Sequence, residues 1–253
     1  MVEAFLAQVR EASLSVLFTD YDGTLAPFVV DRGAAVPYVG VAELLNEIGG
    51  SSRTEVVVVS GRPVDEVVSL LQMEPVPEIW GAHGWEHLAA DGSRTVFPAP
   101  ASVSDAVTFC RKRLLTLTSE EQVEVKPSGL AVHWRGLSSG EQVRLREESL
   151  ILLRSVAGCA GLEVRPFDGG MELRFKGRDK GDVVTEVLAS RPEGTPAAYL
   201  GDDDTDEDAF RALGDKGLAV LVRPEYRPTR AELWLRPPEE LLSFLESWAQ
   251  AVR

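Results

Sequence analysis

The sequence predicts an α/β fold: a doubly wound, parallel-sheet core interrupted by an inserted α+β block. Two observations predict it. Apolar runs without polar alternation (Val16-Leu17-Phe18, Val56 to Val59 and Ala197 to Leu200) are separated by segments of helical periodicity, the pattern of parallel strands covered on both faces. The middle of the chain instead alternates apolar and charged residues with a period of two, which places one kind on each face of a sheet.

In chain order, the first strand ends at Asp20, and Val39 to Ile48 sets Val41, Leu44, Leu45 and Ile48 at helical spacing. The strand Val56 to Val59 ends at Ser60, Val64 to Leu71 repeats the helical pattern, and Ile79-Trp80 is a short strand. Segments 103–118 and 140–157 read as amphipathic helices, each followed by a hairpin. In the first hairpin Val123, Val125, Leu130, Val132 and Trp134 alternate with Glu124, Lys126, Ala131, His133 and Arg135 around Pro127-Ser128-Gly129. In the second, Leu162, Val164, Met171, Leu173 and Phe175 do so around Asp168-Gly169-Gly170. Lys180 opens a helix carrying Val183, Val184, Val187 and Leu188, and Ala197 to Leu200 runs into Gly201-Asp202. Pro237 to Arg253, with Leu241, Phe244, Leu245 and Trp248, reads as a helix packed on the core. The expected division is a Rossmann-like core, residues 1–100 and 177–253, with an αββαββ cap at 101–176. Hinges are expected at Pro98 to Pro100 and around Gly177.

Composition narrows the function. The 253 residues are 44% hydrophobic and 26% charged, a balance that supports a buried core. With 26 basic and 40 acidic residues the formal charge is −14, which repels phosphate backbones and argues against nucleic acid as a partner. No apolar run reaches the roughly 18 residues of a membrane span, and Glu3, Arg10 and Glu11 break any N-terminal signal core. A cytoplasmic monomer acting on a small molecule is expected. Cys110 and Cys159 have no ligand or disulfide spacing and read as buried thiols.

The chemistry concentrates at strand ends. Asp20-Tyr21-Asp22-Gly23-Thr24-Leu25 carries two carboxylates spaced i, i+2 with a glycine to turn the chain, which suits a hard cation such as Mg²⁺. A calcium loop would need glycine and glutamate where Leu25 and Asp31 stand. Gly201 to Asp208 holds six acids in eight residues. Alone this is a solvated acidic run or a set of helix caps; beside the Asp20 strand it completes a metal cage. Ser60-Gly61-Arg62 is a phosphate pocket or a serine helix cap, and Lys180 alone would be a surface lysine. The charged cap face presents Lys126, His133, Arg135, Glu172, Arg174 and Lys176, an arrangement that an ordinary sheet with one solvated face also produces.

Together these residues resemble the four motifs of the haloacid dehalogenase-like phosphohydrolases: Asp20-Tyr21-Asp22-Gly23-Thr24, Ser60, Lys180, and Gly201-Asp202-Asp203 with Asp206. Within them the chain is similar to trehalose-6-phosphate phosphatases, through Tyr21, Gly81-Ala82-His83-Gly84-Trp85-Glu86, Lys126, His133-Trp134-Arg135 and Glu172-Leu173-Arg174. The resemblance implies Asp20 as nucleophile and Asp22 as acid and base, with Ser60 and Lys180 cancelling phosphate charge. It implies Mg²⁺ held by Asp20, the Asp22 carbonyl and Asp202, with Asp203 and Asp206 orienting waters or Lys180. Gly61, Arg62, His83, Glu86, Lys126, His133, Arg135, Glu172 and Arg174 then form the substrate set; for His83 a structural hydrogen bond is the alternative. The alternatives for the whole are a phosphatase of another glycosyl or pseudo-disaccharide phosphate and a catalytically silent sugar-phosphate sensor.

Overall fold

The computed structural model describes residues 1–158, 161–167 and 169–253. Cys159 and the expected turn residue Asp168 lie outside them. The described chain divides into two compact units, 1–95 with 179–253, and 96–178.

The first unit is built on strands β1 (Ser15–Thr19), β2 (Thr54–Val59), β3 (Glu78–Gly81), β4 (Glu86–Leu88) and, late in the chain, β10 (Ala197–Gly201), β11 (Gly217–Val222) and β12 (Leu233–Leu235). With β5 (Arg94–Val96) they form a sheet ordered β12-β11-β10-β1-β2-β3-β4-β5. From β12 to β3 neighbours are parallel, and β4 is antiparallel to β3. Every residue of β1 is buried because β1 lies between two neighbours and under helices, which is why its sequence shows no alternation. Helices α1 (Val2–Glu11), α2 (Val41–Gly50), α3 (Val64–Leu71) and α8 (Glu239–Val252) share a core with Leu17, Val56, Val58 and Ala198. The side chain one residue along β1 points to the other face: Phe18 stacks on Tyr199, which meets Phe210 of α7 (Asp206–Leu213) edge-on.

From β1 the chain moves to β2 and β3 on one side, and the later strands β10 to β12 fill the other. The carboxyl ends of β1 and β10 therefore form a topological switch point, where such sheets bind ligands. Register matches the two loops: Thr19 lies opposite Leu200, and the Asp20 amide donates to the Leu200 carbonyl at 2.8 Å.

The second unit packs α4 (Ala101–Leu114) and α5 (Ser139–Val156) on a four-stranded sheet of β6 (Val123–Lys126), β7 (Gly129–His133), β9 (Gly170–Phe175) and β8 (Leu162–Phe167), in that order. Val103, Val107, Cys110, Leu145 and Leu153 meet Leu130, Val132, Met171 and Leu173 in its core, with Trp134 packed alongside. Ser138 and Glu141 close a capping box at the start of α5, satisfying two otherwise unpaired amides. Burial pushes the Cys110 thiol up to about 11, so it packs as a small apolar side chain. No helix among the described residues is long and apolar enough to cross a membrane.

The sequence reading differs from this structure mainly in short or end elements. The N-terminal helix and β4, β5, β11 and β12 are additions to it, and helix 103–118 ends at Leu114 instead. The acidic run also divides, its first half a loop and its second half the opening turn of α7.

Candidate active site

At the switch point, three elements deliver charge to one place. Asp20 leaves β1, Asp202 leaves β10, and Lys180 opens α6 (Lys180–Ala189), where Asp179 caps the helix through its side chain and Asp182 completes the box. The Lys180 ammonium lies 3.0 Å from Asp20 Oδ2 and donates to Asp206 Oδ1 at 2.7 Å, with only 2% of its side chain exposed. A cation at a helix N-terminus opposes the helix dipole, so the two carboxylates, and not the helix, hold it. Burial works against the ammonium, but Asp20 and Asp206 outweigh it and raise the Lys180 pKa above its ordinary value.

Asp206 spends both oxygens on scaffolding. Oδ1 also accepts from the Tyr199 hydroxyl at 2.9 Å, and Oδ2 accepts from the Asp202 and Asp203 amides, each at 3.0 Å. It thereby shapes the loop that carries Asp202. Asp203 enters this geometry through its amide. Burial raises the Asp202 carboxyl well above the ordinary range, reinforced by Asp20 and Asp206. It lifts Asp20 as well, from 3.8 to about 7, against the pull of Lys180.

The donor set fits a divalent cation. Among the described residues, Asp20, Asp202 and Asp206 form a buried group whose ligand atoms lie within 4.8 Å of one another. Asp202 Oδ1 is buried without a hydrogen-bond partner. Gly23, at φ +80°, leaves the space beside it open: a Cβ there would stand 2.3 Å from Asp202 Oδ2. Since Asp206 is saturated, Asp20 and Asp202 have the oxygens to offer, and oxygen donors of this kind suit hard cations.

The raised carboxyls set a pH dependence. Between about pH 4 and 7 the metal-free native state holds protons that the unfolded chain has released, so stability falls as pH rises through that window. A divalent cation binds the ionised carboxylates and removes this loss. The expected result is a metal-induced rise in melting temperature that is larger at about pH 8 than at about pH 5; melts with Mg²⁺ and with chelator at both values check it, and an equal rise would refute it.

Around this centre stand the other candidates. Arg62, 4% exposed, grips Asp22 with a fork, Nε to Oδ2 and a terminal nitrogen to Oδ1, both at 2.7 Å. It also reaches Glu66 and the Arg32 carbonyl and lies over the Tyr21 ring, so its guanidinium is committed to Asp22 and its neighbours. Tyr21 is itself anchored by its hydroxyl on the Ala35 carbonyl at 2.7 Å. Ser60 is fully buried, and its oxygen accepts from the Arg62 amide at 3.1 Å; α3 begins after Pro63, so Ser60 is not its cap. The His83 ring packs over Gly61, where a Cβ would meet it at 2.8 Å. Glu86 accepts from the Val64 amide at 2.7 Å and so serves the N-terminus of α3.

The charged face of the second unit is a trough. On that face β7 ends in His133 but otherwise offers only Gly129 and Ala131: Ala131 lies opposite Glu124 and Glu172, and Gly129 opposite Lys126 and Arg174. These small residues let Lys126 reach across to Glu172 at 2.7 Å, with 9% and 6% of the side chains exposed. His133 pairs with Glu124 at 2.9 Å, and Arg174 with Glu163 at 3.2 Å. Arg135 packs against Gly169. A merely solvated face would not bury Glu172 and Arg174 to 5% and 7% exposure, since buried charges need partners.

Tyr199, Arg223 and Arg227 were not indicated by the sequence. The two arginines donate to carbonyls of the acidic loop, and main-chain acceptors leave no residue-type signal.

Comparison with known proteins gives a consistent result. The chain matches the trehalose-phosphatase family over residues 18–235. It is 32% identical to a trehalose-phosphate phosphatase of Mycobacterium marinum over 90% of this chain and 60% of that protein. The corresponding protein of Mycobacterium tuberculosis H37Rv is 33% identical over 98% of this chain and 64% of its own length. The chain thus spans under two thirds of these relatives. Among solved structures, the C-terminal domain of Candida albicans trehalose-6-phosphate phosphatase superimposes with a TM-score of 0.81 at 22% identity, covering 98% of this chain and 96% of that one.

Proposed function

Because the chain belongs to the trehalose-phosphatase family, we propose that it hydrolyses trehalose 6-phosphate to trehalose and phosphate through an aspartyl-phosphate on Asp20. The observation that carries this reading is the buried Lys180 bridging Asp20 and Asp206 beside the open oxygen of Asp202. Asp20 attacks phosphorus. Lys180 cancels charge that would otherwise repel a phosphate dianion from a carboxylate. With its oxygen accepting from the Arg62 amide, the Ser60 hydroxyl keeps its proton to donate to a phosphoryl oxygen. Asp22 protonates the leaving sugar oxygen and then takes a proton from the water that hydrolyses the intermediate; to do so, it opens one arm of the Arg62 fork. The implied metal is Mg²⁺, held by Asp20 and Asp202, and when bound it supplies Lewis-acid polarisation of the phosphate.

The trough of the second unit supplies sugar recognition. A disaccharide presents many hydroxyls, which call for donors and acceptors together, and Lys126, His133, Arg135, Glu172 and Arg174 offer both. His83 and the Gly61 backbone line the phosphate side. A cytoplasmic monomer without a nucleic-acid partner completes the reading; the formal charge of −14 supports the last of these.

The test is phosphate release, with and without Mg²⁺, from trehalose 6-phosphate, glucose 6-phosphate, sucrose 6-phosphate and an aryl phosphate. Metal-dependent preference for trehalose 6-phosphate is expected. Glu172→Ala is expected to raise KM for that substrate by about tenfold or more, leaving kcat/KM for the aryl phosphate within about twofold. Preference for another sugar phosphate would correct the substrate, and tight binding without release would replace the enzyme with a sensor.

A further inference from the structure

Six acids in eight residues repel one another, and one buried lysine does not balance them. The loop resolves this by facing two ways. Asp202 and Asp206 turn inward to the centre that holds Lys180. Asp204, Glu207 and Asp208 turn to arginines: Arg211 donates to Asp208 at 2.7 Å, and Arg227 donates to Asp204 at 3.0 Å and to Glu207 at 2.8 Å.

Arg227 does more than neutralise. Its Nε donates to the Asp202 carbonyl at 3.1 Å and one terminal nitrogen to the Asp203 carbonyl at 2.7 Å, while Arg223 adds a bond to the Asp202 carbonyl at 3.2 Å. The side chain is 16% exposed. Asp202 and Asp203 are thus pinned at both ends of their peptides, their amides by Asp206 from inside and their carbonyls by Arg227 from outside. Glu207 in turn accepts from the Arg230 amide at 2.9 Å, which ties the segment carrying Arg227 to α7.

We infer that Arg227 is a positioning residue for the divalent metal, holding the Asp202 carboxylate in its binding orientation by clamping the loop's carbonyls. The inference rests on the reading of Asp20 and Asp202 as metal-binding residues. Groups that orient metal ligands are typically worth about ten- to a hundredfold in metal affinity. A guanidinium serves four acceptors of the loop at once through a planar fork; a lysine at the same place restores the charge but not the fork.

The experiment is direct binding of Mn²⁺ to the full chain, followed by electron paramagnetic resonance of the free ion, for the unsubstituted protein, Arg227→Gln and Arg227→Lys. Circular dichroism and melting in chelator report the fold of each variant without metal. The expected result is an increase in Kd of about tenfold or more in both variants, with metal-free spectra unchanged. Unchanged Kd in either folded variant, or recovery of full affinity in Arg227→Lys, overturns the inference while leaving the metal site intact. No Mn²⁺ binding by the unsubstituted chain overturns the metal site itself, and the inference with it. If Arg227→Gln fails to fold, the Lys variant decides alone.

Discussion

Asp20→Asn is expected to lower phosphate release by about 10⁴-fold or more while leaving the chain folded. The loss is large because the amide cannot attack phosphorus, and positioning by the remaining groups does not replace a nucleophile. The fold survives because the substitution removes a carboxyl that burial already pushes to about 7. The neutral amide avoids that desolvation, and Lys180 keeps Asp206 at 2.7 Å. Turnover and melting curves measured on the same preparation check the pair of outcomes. Appreciable residual turnover would exclude the covalent route, and collapse of the fold would show that the Asp20 ion pair stabilises the centre.

Lys180→Ala is expected to produce the opposite balance: activity falls and stability falls with it. The ammonium is fully buried between Asp20 and Asp206, and removing one partner from such a group leaves charge uncompensated, at a cost of about 3–5 kcal/mol. The loss has a pH signature. Lys180 holds the Asp20 carboxyl down to about 7, so without the lysine it rises further; taking up a proton relieves the orphaned charge, at a smaller cost at about pH 5 than at about pH 8. Denaturant melts at the two values should therefore show the larger deficit at the higher pH. A variant as stable as the parent at both would mean that the lysine serves chemistry alone.

The acidic centre was legible because its residues obey local rules. Asp20 and Asp202 each follow an unbroken apolar strand, and buried parallel strands leave that trace whatever the tertiary detail. The period-two alternation of the second unit likewise specified its core, down to Trp134 packed against the cluster that holds Leu130 and Leu173. Partnership was not legible. Arg62 reads as part of a phosphate loop, yet its fork is occupied by Asp22, a residue some forty positions earlier. Glu86 reads as a pocket residue, yet it accepts from the first amide of α3. Long side chains reach well beyond their own element, so residue type at a position does not say which neighbour is met. The strands β4, β5 and β12 were missed for a simpler reason: three residues are too few to display a period.

The place of β1 in the sheet also bears on the order in which the molecule is made. Val16 pairs with Glu55 on one side and with Ala197 on the other. Emerging from the ribosome, β1 can join β2 early, but its second edge stays open until nearly the whole chain exists. In the interval residues 96–178, one contiguous stretch with a hydrophobic core of its own, are already complete. Closing the open edge means joining distant segments, a slow step for any nascent chain, and an apolar strand edge left waiting invites pairing with another molecule. The candidate active site is thus assembled across the seam of this sheet whose two strands lie furthest apart in the chain.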